Sequence, residues 1–274
     1  MPEPLGAVQL ETFIGRREEL RALRVSIQKR ESRLVWGSMD TGKTALVGRV
    51  ISDLPDSERR KCVYWTGAAS GRQLLSFLVG QLYEKGDPYV RRKVHADGGR
   101  DILLQRWLNK QSSLRLRGIL FTASAEGDYR FFVDHIPPLT RNMARLMKEI
   151  MLRCETPVYL IARGLALQEI GYAWSLYWND SLRLHLGPLH ERYARELLES
   201  CIKAFGLNSL DLEDFREDVL RLSGLLPGSI LKMSRLAAEP KYHYADRIKT
   251  KLVHVDYLMQ SNESAIHGAS LVIQ

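Results

Sequence analysis

The chain has 274 residues, 45% of them hydrophobic and 26% charged, which is ordinary globular composition with room for one large α/β domain and a smaller one. Composition excludes a membrane span, since there is no run of about 18 apolar residues, and the opening Met1-Pro2-Glu3-Pro4-Leu5-Gly6 lacks the pattern of a secretory leader. Three scattered cysteines, Cys62, Cys154 and Cys201, argue against a disulfide framework or a cysteine-rich zinc site and for a reducing cytoplasm, while a net charge of +8 favours polyanionic ligands.

Residues 1–12 read as a loose leader. Glu18 to Lys29 carries Leu20, Leu23, Val25 and Ile27 between charges and reads as an amphipathic helix. Arg33-Leu34-Val35-Trp36 is a short apolar run ending at a glycine, a buried strand, and Lys43 to Ile51 is a helix. Cys62 to Thr66 is a second strand, rich in β-branched and aromatic residues. A helix over Arg72 to Tyr83 has Leu74, Leu75, Leu78 and Leu82 as its core face. The polar, glycine-containing stretch Glu84 to Gly99 is expected as a mobile loop, followed by a helix from Asp101 to Asn109. Tyr129 to Asp134 is a third strand, stopped by Pro137 and Pro138, and Thr140 caps a helix to Cys154. Pro157 to Ala162 is a fourth strand running into Arg163-Gly164, and Ser181 to Leu186 is a fifth. From Glu191 the pattern is helical, over 191–205, 211–222 and 228–238, with a tail helix near 243–259. Strands alternating with helices imply a parallel sheet. The expected division is an α/β core over 1–190, a helical lid over 191–260 and a flexible tail over 261–274.

The firmest motif is Gly37-Ser38-Met39-Asp40-Thr41-Gly42-Lys43-Thr44, which satisfies G-x-x-x-x-G-K-[S/T] in full. Gly37 and Gly42 allow backbone angles and close approach that a side chain would block. Loop amides and the N-terminus of the helix that continues through Ala45 aim at phosphate oxygens. Lys43 adds a mobile point charge, and Thr44 offers a hydroxyl to Mg²⁺. A strand precedes the motif and a helix follows it, as this chemistry requires. The cofactors implied are a nucleoside triphosphate and Mg²⁺.

A second requirement is an acid at a strand end that orients the metal ion. Asp134 ends the run Phe131-Phe132-Val133, whereas the rival acids Glu126 and Asp128 follow no apolar run. The next residue is His135, where hydrolytic P-loop enzymes usually carry an acid that polarises water. Binding with slow hydrolysis is therefore preferred to robust turnover. Arg163, at the end of the strand expected beside the phosphate strand, can sense a γ-phosphate or simply end a strand in solvent. Trp174, Tyr177 and Trp178 read as packing between sheet and lid, and Tyr242-His243-Tyr244 as a helix start. The remaining histidines show no metal-ligand spacing.

Phe13-Ile14-Gly15-Arg16-Arg17-Glu18-Glu19-Leu20 resembles the F-[IV]-G-R-x-x-E-L opening motif of AAA+/STAND-type ATPases, including the origin-recognition type. The resemblance implies a P-loop NTPase core of three α/β/α layers, with a five-stranded parallel sheet and a small all-α lid, binding ATP. It places Ile14 and Gly15 beside adenine, gives Asp134 the role of the Walker B acid, and makes Arg163 similar to the sensor-1 residue. Leu186-Gly187-Pro188-Leu189 resembles the passage into the lid, and Ser223 to Gly228 resembles its G-G-x-P motif, which puts Pro227 near the base. Leu225 replaces the second glycine, and Pro227 also fits a helix start. The likeness covers residues 13–238 and leaves 34 residues beyond Pro240, too few for a winged-helix domain or a repeat array.

Three functions follow. One is a nucleotide-dependent switch acting on a protein partner or a second copy. Another is a DNA-associated ATPase regulator of the transposition or replication type. The third is a non-hydrolysing interaction scaffold.

Overall fold

The computed structural model describes residues 13–67, 70–98, 103–136 and 138–270; the expected leader and Pro137 lie outside them. The strands are β1 (Arg33–Gly37), β2 (Cys62–Thr66), β3 (Arg130–Ile136), β4 (Val158–Arg163), β5 (Arg183–His185), β6 (His243–Tyr244) and β7 (Arg247–Ile248). The helices are α1 (Arg17–Gln28), α2 (Lys43–Ser52), α3 (Asp56–Arg59), α4 (Gly71–Glu84), α5 (Pro88–Gly98), α6 (Leu104–Lys110), α7 (Ser113–Glu126), α8 (Arg141–Arg153), α9 (Ala173–Leu176), α10 (Glu191–Ala204), α11 (Glu213–Ser223), α12 (Pro227–Ala237) and α13 (Thr250–Ser270).

A parallel sheet is covered by helices on both faces, so its inner strands must be apolar at consecutive positions. Phe131, Phe132 and Val133 of β3 and Val158 to Ala162 of β4 meet that demand, all of them buried. The sheet is parallel throughout, in the order β2-β3-β4-β1-β5, flanked by helices as a P-loop NTPase α/β/α core requires. Phe132 stacks on Tyr159 of the next strand at 4.5 Å between ring centroids. The Tyr159 phenol donates to the Ser26 carbonyl of α1 at 3.2 Å, so even the polar end of this core is satisfied.

The chain forms two compact units. The sheet unit holds residues 19–37 and 47–185, with a core that runs from Leu34 and Val63 through α4, α7 and α8 to Tyr177. The helical unit takes the described residues 13–18, 38–46 and 186–270, with α10 to α13 packed around Leu198, Phe215, Met233 and Val253. The phosphate-loop residues Ser38–Leu46 thus belong to the helical unit by their packing.

Several expectations need correction. The segment Glu84 to Gly99, expected as a mobile loop, contains α5. Val90 and Val94 lie one turn apart and are both fully buried, and the Asp87 carboxylate accepts the Val90 amide at 2.8 Å as a cap. Helix α7 has no counterpart in the sequence reading, because its apolar residues are not confined to one face: Leu116 and Leu120 are buried while Leu114 is exposed. The tail helix starts at Thr250 rather than 243, since His243–Tyr244 and Arg247–Ile248 pair as an antiparallel hairpin. Of the three aromatics expected between sheet and lid, Tyr177 is instead buried in the core of the sheet unit, with its phenol on the Val158 carbonyl, and Trp174 and Trp178 are exposed. The cap expected at Thr140 is present, accepting the Met143 amide at 3.4 Å. Among the described residues no helix is long and apolar enough to cross a membrane.

Two measurements check this packing. Phe132→Ala removes a fully buried ring from the sheet centre and should destabilise the sheet unit by about 3–5 kcal/mol, seen as a lower urea midpoint. All three cysteines are free and buried, and burial pushes Cys62 and Cys154 up to about 11 and Cys201 up to about 12. The folded protein at pH 8 should therefore resist thiol reagents, with all three groups reacting only after unfolding in guanidinium.

Candidate functional site

In an open parallel sheet, ligands gather beyond the carboxyl ends of the strands. Gly37 ends β1 and pairs in register with Arg163 at the end of β4, and the Gly164 amide donates to the Gly37 carbonyl at 3.1 Å. Thr66 at the end of β2 pairs with Asp134 on β3. Gly37, Thr66 and Arg163, the last residues of β1, β2 and β4, and Asp134, two residues before the end of β3, which runs past the expected stop, therefore lie toward the carboxyl end of the sheet. Strand β4 does lie beside the phosphate strand, as expected, and Arg163 is exposed there.

Asp134 is buried, with 2% of its surface exposed, so its charge needs donors. The Tyr64 phenol of β2 donates to Oδ2, and the His135 amide donates to Oδ1 at 2.7 Å. The second bond requires an unusual backbone: His135 has φ 56°, and the β3–β4 register shifts between Val133 and Ile136. This bulge leaves the imidazole exposed, with Nδ1 at 3.3 Å from Asp134 Oδ1. Tyr64 was missed in the sequence, because only the pairing of β2 with β3 brings residue 64, opposite Phe132, within reach of the acid two residues further along β3.

In the helical unit the phosphate loop turns tightly. Gly42 has φ +85°, an angle that penalises any side chain, and α2 starts at the next residue. The Lys43 ammonium donates to the Ser38 carbonyl at 2.5 Å and to Thr41 Oγ1 at 3.2 Å, while the Thr41 hydroxyl donates to the Ser38 carbonyl at 3.0 Å. These are weaker acceptors than a phosphate oxygen, which an ammonium prefers. A flexible cation over a glycine turn, a hydroxyl at Thr44 and the opening amides of a helix are the donor set that a magnesium-bound triphosphate needs. The residues present fit that group. Ala45, on the outer side of α2, is exposed.

The remaining motif residues converge on the same unit. Ile14 packs against its core, and Gly15 lies against Tyr193 and Leu189. The Arg16 guanidinium donates to the Gly187 carbonyl and, at 3.4 Å, to that of Thr41, tying the opening motif to the phosphate loop. Pro227 is the first residue of α12, and its ring lies beside Gly42. Gly228 donates its amide to the Asp40 carbonyl at 2.8 Å. Strain marks these places: Arg16, Asp40, His135 and Leu225 all hold positive φ. Leu225 is the residue that replaces the second glycine of the lid motif, and its φ of 59° is the reason a glycine suits that position.

No protein-family model matches the chain, and no curated protein sequence does. Solved structures share its fold. The Walker-type ATPase of Pyrococcus abyssi superposes with a TM-score of 0.58 at 14% identity, over 96% of this chain and 76% of the other. The Aeropyrum pernix ORC1 protein, solved in complex with DNA, gives 0.54 at 16% identity, over 91% of this chain and 66% of its own. Pyrobaculum aerophilum CDC6p gives 0.56 at 12%, over 87% and 64%. The chain thus spans roughly two thirds to three quarters of the lengths of these proteins. The fold is that of a P-loop NTPase α/β/α core.

A Cβ on Gly228 would fall 2.8 Å from the Asp40 Cβ. Gly228→Ala should therefore force the phosphate loop away from α12 and destabilise the helical unit by about 1–3 kcal/mol, measurable as a lower thermal midpoint.

Proposed function

We propose that this chain, with its AAA+ P-loop ATPase fold, binds Mg-ATP and acts as a nucleotide-dependent switch that hydrolyses slowly. The carrying observation is the attachment of the phosphate loop to α12 through the Gly228–Asp40 hydrogen bond and the Pro227–Gly42 contact. A loop that reorganises around phosphate would carry that change into the helices.

Lys43 would bind the β- and γ-phosphates, Thr44 and Asp134 would hold Mg²⁺, and Arg163 would read the γ-phosphate. Ile14, Gly15 and Pro227 would border the base, with Ser38, Met39, Asp40, Thr41, Gly42 and Ala45 shaping the phosphate turn. Bound Mg²⁺ supplies charge neutralisation between the phosphates. Slow turnover is supported by two local features. The Walker B acid already accepts from Tyr64 and from its neighbour's amide. The residue after it is an exposed imidazole rather than a carboxylate positioned as a base.

Calorimetric titration tests the binding: Lys43→Ala should weaken Mg-ATP by about tenfold to a hundredfold, and undiminished affinity would overturn the reading. His135→Glu should raise phosphate release by about a hundredfold if the missing base limits turnover. A second reading, DNA association, is favoured by the net charge of +8 and by the DNA-bound fold relative. It predicts DNA retention that strengthens with ATP and falls steeply as salt rises; no retention at low salt would remove it.

A further inference from the structure

Asp40 is an anion inside a loop whose chemistry calls for cations. Its backbone has φ 61°, a conformation that glycine or asparagine would adopt without adding charge. The carboxylate must therefore be balanced if a polyanion is to bind nearby.

The balance comes from α12 and α13. The Lys232 ammonium of α12 donates to both carboxylate oxygens, at 2.8 and 3.0 Å. The Tyr257 phenol of α13 donates to Oδ2 at 3.1 Å, and the Ser229 hydroxyl reaches the same oxygen at 3.4 Å. Ser229 and Tyr257 are themselves 2.8 Å apart. The carboxylate is 11% exposed and Lys232 is 45% exposed, so the anion is fixed while the cation keeps its head partly in water.

We propose that Lys232 is a positioning residue for triphosphate binding: it cancels the Asp40 charge and latches the phosphate loop to the helical region. This inference rests on the Mg-ATP reading above and assigns no contact between Lys232 and the nucleotide. With Lys232 removed, Asp40 repels incoming phosphate and the loop loses its strongest tie to α12. The repulsion grows with ligand charge, so ATP suffers more than ADP, and AMP least. A purely structural role for Lys232 would affect the three nucleotides alike.

The experiment is a double-mutant cycle on the full chain, with affinities for ATP, ADP and AMP measured by calorimetry and thermal midpoints recorded alongside. Lys232→Ala should weaken ATP binding by about tenfold, with a graded and smaller loss for ADP and AMP. Adding Asp40→Asn to Lys232→Ala should recover most of that loss, and Lys232→Arg should retain the affinity. The inference is overturned if Lys232→Ala binds ATP like the parent chain, if the double variant is as weak as Lys232→Ala, or if the loss is equal for all three nucleotides. Lys43→Ala separates the two levels of failure. If it leaves ATP affinity unchanged, the nucleotide reading itself falls. If it abolishes binding while the cycle shows no coupling, only the role of Lys232 falls.

Discussion

Between Gly37, the last residue of β1, and Lys43, the first residue of α2, the backbone has five residues in which to reverse from extended to helical. That short turn is the constraint from which the site follows. It puts Asp40 and Gly42 at positive φ, folds the Lys43 ammonium over the Ser38 carbonyl, and exposes the Asp40 carbonyl to the amide of Gly228. A longer loop would relax the angles and lose the focus of donors. Because α12 begins at Pro227 and follows with a glycine, its first turn can approach the loop backbone closely enough to hydrogen-bond with it.

The acid on β3 obeys a different constraint. Asp134 is buried near the carboxyl end of β3, and a buried carboxylate is stable only with donors around it. The chain supplies them by bulging at His135, which turns one amide back to the carboxylate, and by placing Tyr64 in the adjacent strand. The same bulge directs the His135 side chain into solvent. Satisfying the acid and exposing the side chain beside it are thus one backbone event.

Much of this was readable in the residues. The phosphate turn, its strand and its helix needed only local geometry, so Gly37 to Thr44 spelled them out. The strands were legible because consecutive burial demands consecutive apolar residues, and Thr140 because a cap is a local hydrogen bond. Helices α5 and α7 were not legible, for opposite reasons. Helix α5 is polar except for two valines held in the core, and α7 is apolar around much of its circumference. In both cases burial by other elements outweighs local pattern.

The sequence alone determined the phosphate turn, the alternation of strands and helices, and the acid that follows the apolar run of β3, because each depends on neighbours along the chain. Tertiary structure decided the in-register match of Arg163 with Gly37, the hydrogen bond of Tyr64 to Asp134, and the meeting of Asp40 with Lys232, 192 residues later. Those pairings join residues far apart in the chain. No periodicity encodes them, since they follow from how parallel strands register and how closely helices can approach a glycine.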